Sequence, residues 1–171
     1  MKTVIIGFSK PVKFTIHGSL IMLIDRSPFD HAYIRTHSTS IDRDIIYQSI
    51  WKGVEFVGNT VFSQMAIPVE EYELDIDDDK HKDFLQFCID NSGVSYDLFG
   101  VIGLGISKLL KLIKINIKNP FDDGKISEFC SEIVARCLNN VDPTQFNLDA
   151  ENISPKDLNT IIKSLNLKRV L

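Results

Sequence analysis

Short runs of apolar and β-branched residues dominate the first third of the chain. Residues 4–8 and 19–24, parted by Pro11 and Gly18, predict two strands joined by a loop. After the breakers Ser27 and Pro28, residues 31–35 alternate so that His31, Tyr33 and Arg35 share one face of a third strand. A polar stretch, 36–44, leads to residues 45–51 and, beyond Lys52 and Gly53, to 54–57, which together predict an antiparallel meander. Residues 65–74 add one more strand, and Pro68, which lacks an amide donor, predicts that it lies at a sheet edge.

The pattern then turns helical. Asp77, Asp78 and Asp79 precede the stripe Phe84, Leu85, Phe87, Cys88 and Ile89, with Gly93 just beyond, which reads as a helix with an acidic, solvated N-terminus and not as a metal site. Residues 97–113 repeat apolar side chains at helical spacing, although Gly100, Gly103 and Gly105 weaken that helix. Ser127 is placed to cap a third helix bearing Phe129, Cys130, Ile133, Val134, Cys137 and Leu138 on one face. Ser154, followed by Pro155, announces a last helix through Leu165. Strands first and helices afterwards imply an α+β chain with an antiparallel sheet.

The 171 residues suffice for one core, so a single domain spanning 1–171 is expected. A net charge of −4 with scattered cations argues against a nucleic-acid partner. The apolar run at the start is interrupted by Gly7 and lacks a cleavage site, so no signal peptide is expected, which fits a cytoplasmic or a virion-associated protein. Residues 98–117 carry Lys108, Lys111 and Lys114, so no transmembrane segment is expected, while a basic apolar helix leaves peripheral membrane contact open. The three cysteines show no CxxC spacing, and neither a metal nor another cofactor is expected.

A cysteine in the first turn of a helix meets free amides that favour its thiolate, which singles out Cys130; the ordinary alternative is a small buried hydrophobe, the reading given to Cys88 and Cys137. A thiol nucleophile needs a base. Of the four histidines, His31 opens a strand, whereas His17, His37 and His81 read as loop or polar helix-end residues. Glu132 points to a different helix face from Cys130 and is expected in a salt bridge or at the surface.

The segment Phe129-Cys130-Ser131-Glu132-Ile133-Val134 resembles the cysteine motif of the circularly permuted NlpC-like hydrolases, the YiiX type of the papain-like superfamily. Other features match that family's usual order and extend the resemblance over nearly the whole chain: the His-led strand from Asp30, Gly53-Val54, Tyr96-Asp97 before a helix, and Ser154-Pro155-Lys156-Asp157-Leu158 after the cysteine helix. The histidine precedes the cysteine, as in the permuted branch. The resemblance implies a papain-like fold and places a third polar residue on the strand after the histidine, where Tyr47, Gln48 and Ser49 stand; Gln48 is chosen because its amide oxygen is able to hold the imidazole in one tautomer. Tyr96 and Tyr33 are expected to line the substrate cleft. The chain departs from the family in carrying Asp30 where a serine often precedes the histidine. The implied function is a thiol hydrolase acting on an amide or ester, such as a peptidoglycan peptide or a lipid acyl amide. The alternatives are a lipid-directed acyltransferase of the same fold and a noncatalytic binding or structural protein that retains it.

Overall fold

The computed structural model describes residues 1–13, 22–23, 25–94 and 130–171. Its architecture is α+β: six strands form one antiparallel sheet, with helices packed against it. The strands are β1 (Lys2–Pro11), β2 (His31–Ser38), β3 (Arg43–Ile50), β4 (Gly53–Gly58), β5 (Ala66–Ile76) and β6 (Lys168–Arg169), and they lie in the order β4-β3-β2-β1-β5-β6. The helices are α1 (Asn59–Met65), α2 (Asp78–Asp90), α3 (Cys130–Val141) and α4 (Pro155–Ser164).

Alternation along β1 divides the core in two. Val4, Ile6 and Phe8 join Ala32, Ile34 and Tyr47 in the larger core, with Phe84 and Cys88 of α2, Ile133, Val134, Cys137 and Leu138 of α3, and Leu158 and Ile162 of α4. On the reverse face Tyr33 and Ile46 pack with Phe62 of α1 and Ala66. The meander expected from residues 31–57 is β2-β3-β4, and its last turn brings Gly53 to φ +118°, where a side chain is strained.

Pro68 lies on β5, which is not the outermost strand. β6 pairs only with Tyr72 and Glu73, so the outer edge of β5 at Pro68 is left open by β6, and Pro68 faces Ser9 just past a register shift in the β1–β5 pairing. Asp77 caps α2 by accepting from the Lys80 amide at 2.8 Å, with Asp78 and Asp79 in the first turn. Ser154 and Asp157 form a reciprocal capping box on α4, with Pro155 at its start.

The second strand reading changes. Met22 and Leu23, from the run read as a strand over 19–24, are helical; in a short apolar run, β-branched composition alone does not separate the two states. The unforeseen helix α1 buries a single side chain, Phe62, and has no side-chain cap, so it left little trace in the pattern. The helix expected over 97–113, the cap Ser127 and Tyr96 lie outside the described residues. Cys88 and Cys137 are buried and form no disulfide, with sulfurs 3.5 Å apart, and serve as packing between α2 and α3. Among the described residues no helix is long and apolar enough to cross a membrane.

Candidate active site

His31 opens β2, next to the centre of the sheet, and the next two strands extend the site outward from it. The His31 ring places Nε2 3.0 Å from Oε1 of Gln48 on β3. Gln48 in turn donates from Nε2 to Oε1 of Glu55 on β4 at 3.1 Å, and these two residues are direct cross-strand partners. The chemistry of this row orients it. A carboxylate only accepts, so Glu55 takes the amide NH₂ of Gln48 and leaves the amide oxygen facing His31. That oxygen accepts a hydrogen bond from Nε2–H, so the neutral ring is the Nε2–H tautomer and its Nδ1 keeps a lone pair. Glu55 was missed in the sequence, where it is one more polar residue on a strand; the signal for it is the two-residue Trp51-Lys52 turn, which makes Ile50 and Gly53 partners and therefore also Gln48 and Glu55.

Cys130 stands at the start of α3, which packs on β2 and β3. It begins the described part of α3, is buried, and directs Sγ at the carbonyl oxygen of Asp30, 3.9 Å away. The amides of Ala32, Ser131 and Cys130 also face the sulfur. The thiol therefore sits against the β2 backbone on both sides of His31, and its hydrogen-bond acceptor is the Asp30 carbonyl, not the imidazole.

Burial dominates the electrostatics of the pair. It pushes the Cys130 thiol up to about 12, assisted by the nearby charge of Asp30 and opposed by the three amides. It pulls His31 down to about 4, against the raising effect of the Gln48 hydrogen bond. At neutral pH the site thus holds a neutral thiol and a neutral imidazole. The charge of Asp30 thus acts on the thiol.

The depressed histidine makes a prediction for stability. An unfolded chain protonates His31 near its ordinary 6.5, whereas the folded chain does so only near 4, so stability is complete above about pH 6.5 and declines as pH falls from there to 4. The expected loss is about 2 to 3 kcal/mol, the ring being partly exposed. Urea unfolding of wild type and His31→Gln at pH 7 and 4.5 isolates this contribution as the difference between their pH slopes; equal slopes would refute it.

Tyr33 does not present a surface to a substrate. It is fully buried; its ring lies where a Cβ on Gly7 would fall, and its hydroxyl donates to Oε1 of Glu71 at 2.7 Å. Burial, then that hydrogen bond, raises its pKa, which keeps it a donor. Glu71 is also held by Arg35 through Nε and Nη2, so this row of β2 is structural. Glu132 is paired with Arg136 one turn away, at 2.7 Å, but its side chain is buried and not at the surface. His37 lies in β2, not a loop, and pairs with Asp44 at 3.0 Å, while His81 on α2 meets the hydroxyl of Thr36 at 3.2 Å. His17 lies outside the described residues. Ser9, in register with His31, is buried, and among the described residues its hydroxyl meets no hydrogen-bond partner. Among the described residues no group of three or more histidine, cysteine or acidic side chains is arranged to hold a metal ion.

No family model matches this chain, and the search of curated proteins finds no match to it.

Proposed function

We propose that this chain is a thiol hydrolase of the permuted NlpC-like, papain-like type, which cleaves an amide or ester bond through an acyl-enzyme on Cys130. The observation that carries this reading is the row His31–Gln48–Glu55, which leaves the Nδ1 lone pair of His31 as the proton acceptor beside the strand that Cys130 touches.

The reaction starts from the neutral pair. The thiol turns from the Asp30 carbonyl to His31, Nδ1 takes its proton, and sulfur forms a bond to the substrate carbonyl carbon. The amides of Cys130 and Ser131 at the helix start are suited to receive the developing oxyanion. Collapse breaks the carbonyl bond to the leaving nitrogen or oxygen, which takes the proton from the imidazolium. A water then gives its proton to His31, attacks the thioester and releases a carboxylic acid and the free thiol. In the acyltransferase variant an alcohol or amine replaces this water.

The second reading, a binding or structural protein that keeps the pair without turnover, is favoured by the burial of Cys130 and by its hydrogen bond to Asp30 instead of His31. Incubation with p-nitrophenyl esters of increasing acyl length, followed by peptide mass mapping, separates the two. The hydrolase reading expects a burst of nitrophenol with an acyl adduct on Cys130, absent in Cys130→Ala and at least about 100-fold slower in His31→Ala. Adducts no more frequent on Cys130 than on Cys88, or an unchanged burst in Cys130→Ala, would favour the second reading.

A further inference from the structure

The loop that leads into His31 forms one wall of a cavity of about 250 Å³, bounded also by β5 and α4, whose lining includes Arg26, Ser27, Glu70, Lys156, Asn159 and Lys163. Three of these residues are cations and one is an acid. The acid is already taken: the Glu70 carboxylate accepts from the Tyr72 hydroxyl and the Asn159 amide, each at 2.8 Å, and from Lys163 Nζ at 3.1 Å. Although burial alone raises its pKa, these donors outweigh it and hold the carboxyl below its ordinary value.

Arg26 and Lys156 are left over. Neither meets a carboxylate among the described residues, and both are exposed toward solvent. Ser27 adds a donor, because its Oγ accepts from the Phe29 amide at 3.2 Å and no acceptor among the described residues takes its own proton. Arg26 is held at φ +49°, a conformation uncommon outside glycine, at the point where the loop turns toward the cavity. Phe29 anchors the inner end of the loop by packing on Phe8, with ring centroids 5.1 Å apart.

We propose that this cavity is a binding site for a phosphate group, held by Arg26, Lys156 and the Ser27 hydroxyl. Two cations that meet no carboxylate among the described residues, with a hydroxyl lining the same space, match a phosphate's several acceptor oxygens. Resting on the hydrolase reading, the phosphate belongs to the substrate: four Cα-to-Cα steps join Ser27 to His31 and span at most about 14 Å. The scissile carbonyl and the phosphate then lie on one molecule within that reach.

The test begins with Cys130→Ser protein, so that binding is read without turnover. Titration with inorganic phosphate and with glycerol 3-phosphate, followed by amide chemical shifts, is expected to move Arg26, Ser27, Phe29, Lys156 and Thr160 saturably. The double variant Arg26→Ala, Lys156→Ala, which changes two exposed side chains and is checked for an unchanged thermal melt, is expected to bind about tenfold or more weakly. Sedimentation with phosphatidylcholine vesicles, with and without phosphatidic acid, distinguishes a lipid headgroup from a soluble phosphomonoester as the source of the anion. Pelleting with phosphatidic acid that the double variant loses assigns the first; saturable shifts without pelleting assign the second. The site is overturned if no saturable shift appears, if the shifts fall elsewhere, or if the double variant binds as well as its parent. Failure of ester acylation at Cys130, measured separately, would remove the substrate assignment and leave the phosphate site standing.

Discussion

Gly7→Ala is expected to cost the protein about 3 kcal/mol or more, enough to lower the urea midpoint sharply and to leave part of the chain unfolded at 37 °C. A Cβ at Gly7 falls 2.1 Å from Cζ of Tyr33 and 2.5 to 2.6 Å from both Cε atoms, well inside contact distance. The obstacle is a ring atom in a fully buried side chain, not the free end of a flexible one. The ring cannot slide away, because its hydroxyl is bound to Glu71 at 2.7 Å and its other side packs on Phe62, with centroids 4.5 Å apart. Moving the strand is no easier, since β1 is hydrogen-bonded on both sides. Combining Gly7→Ala with Tyr33→Leu should recover part of the loss, so that the double variant is more stable than the sum of the single changes implies. A Gly7→Ala protein within 0.5 kcal/mol of wild type would show that β1 and β2 adjust freely here.

Gln48→Leu is expected to lower hydrolysis of an ester that acylates Cys130 by about 100- to 1,000-fold while leaving the fold intact. Leucine fills the same space, but His31 loses the acceptor that keeps its proton on Nε2, and the Nδ1–H tautomer has no lone pair for the thiol. The fall should lie in kcat with little change in KM, because Gln48 orients the base and is buried out of a substrate's reach. The ¹⁵N shifts of the imidazole give a readout that a merely structural role would not move: a single Nε2–H tautomer in the wild type and a mixture in Gln48→Leu. Glu55→Leu should act in the same direction more weakly, since the amide is then free to turn its NH₂ toward the ring. Unchanged imidazole shifts in Gln48→Leu would show that the ring is held by something else.

The parts of the site that were legible in the sequence are those set by local chemistry. Cys130 was visible as a cysteine opening an apolar helix, and His31 as the head of an alternating strand. Gln48 was selected from three neighbours through the family resemblance, and alternation explains why Tyr47 cannot serve: it belongs to the larger core on the opposite face. What was not legible depends on pairing between segments. The role of Glu55 follows from hairpin register, the burial of Tyr33 from the absence of a side chain on a neighbouring strand, and the depressed His31 and raised Cys130 from packing that no local pattern reports. The edge position inferred for Pro68 was sound for the residue and wrong for the strand, because the strand that covers β5 is only two residues long.

The two halves of the candidate site also become available at different times. His31, Gln48 and Glu55 sit on consecutive hairpins, whose contacts form on the microsecond scale once the strands exist. The thiol arrives from 100 residues beyond Asp30, a length that takes about 5 to 20 s to synthesise. A nascent chain therefore carries the proposed base before it carries the proposed nucleophile, and the two can meet only after the cysteine helix docks on β2. Supplying residues 1–94 and 95–171 as separate polypeptides would turn that delay into an experimental control, with acylation of Cys130 reporting their association.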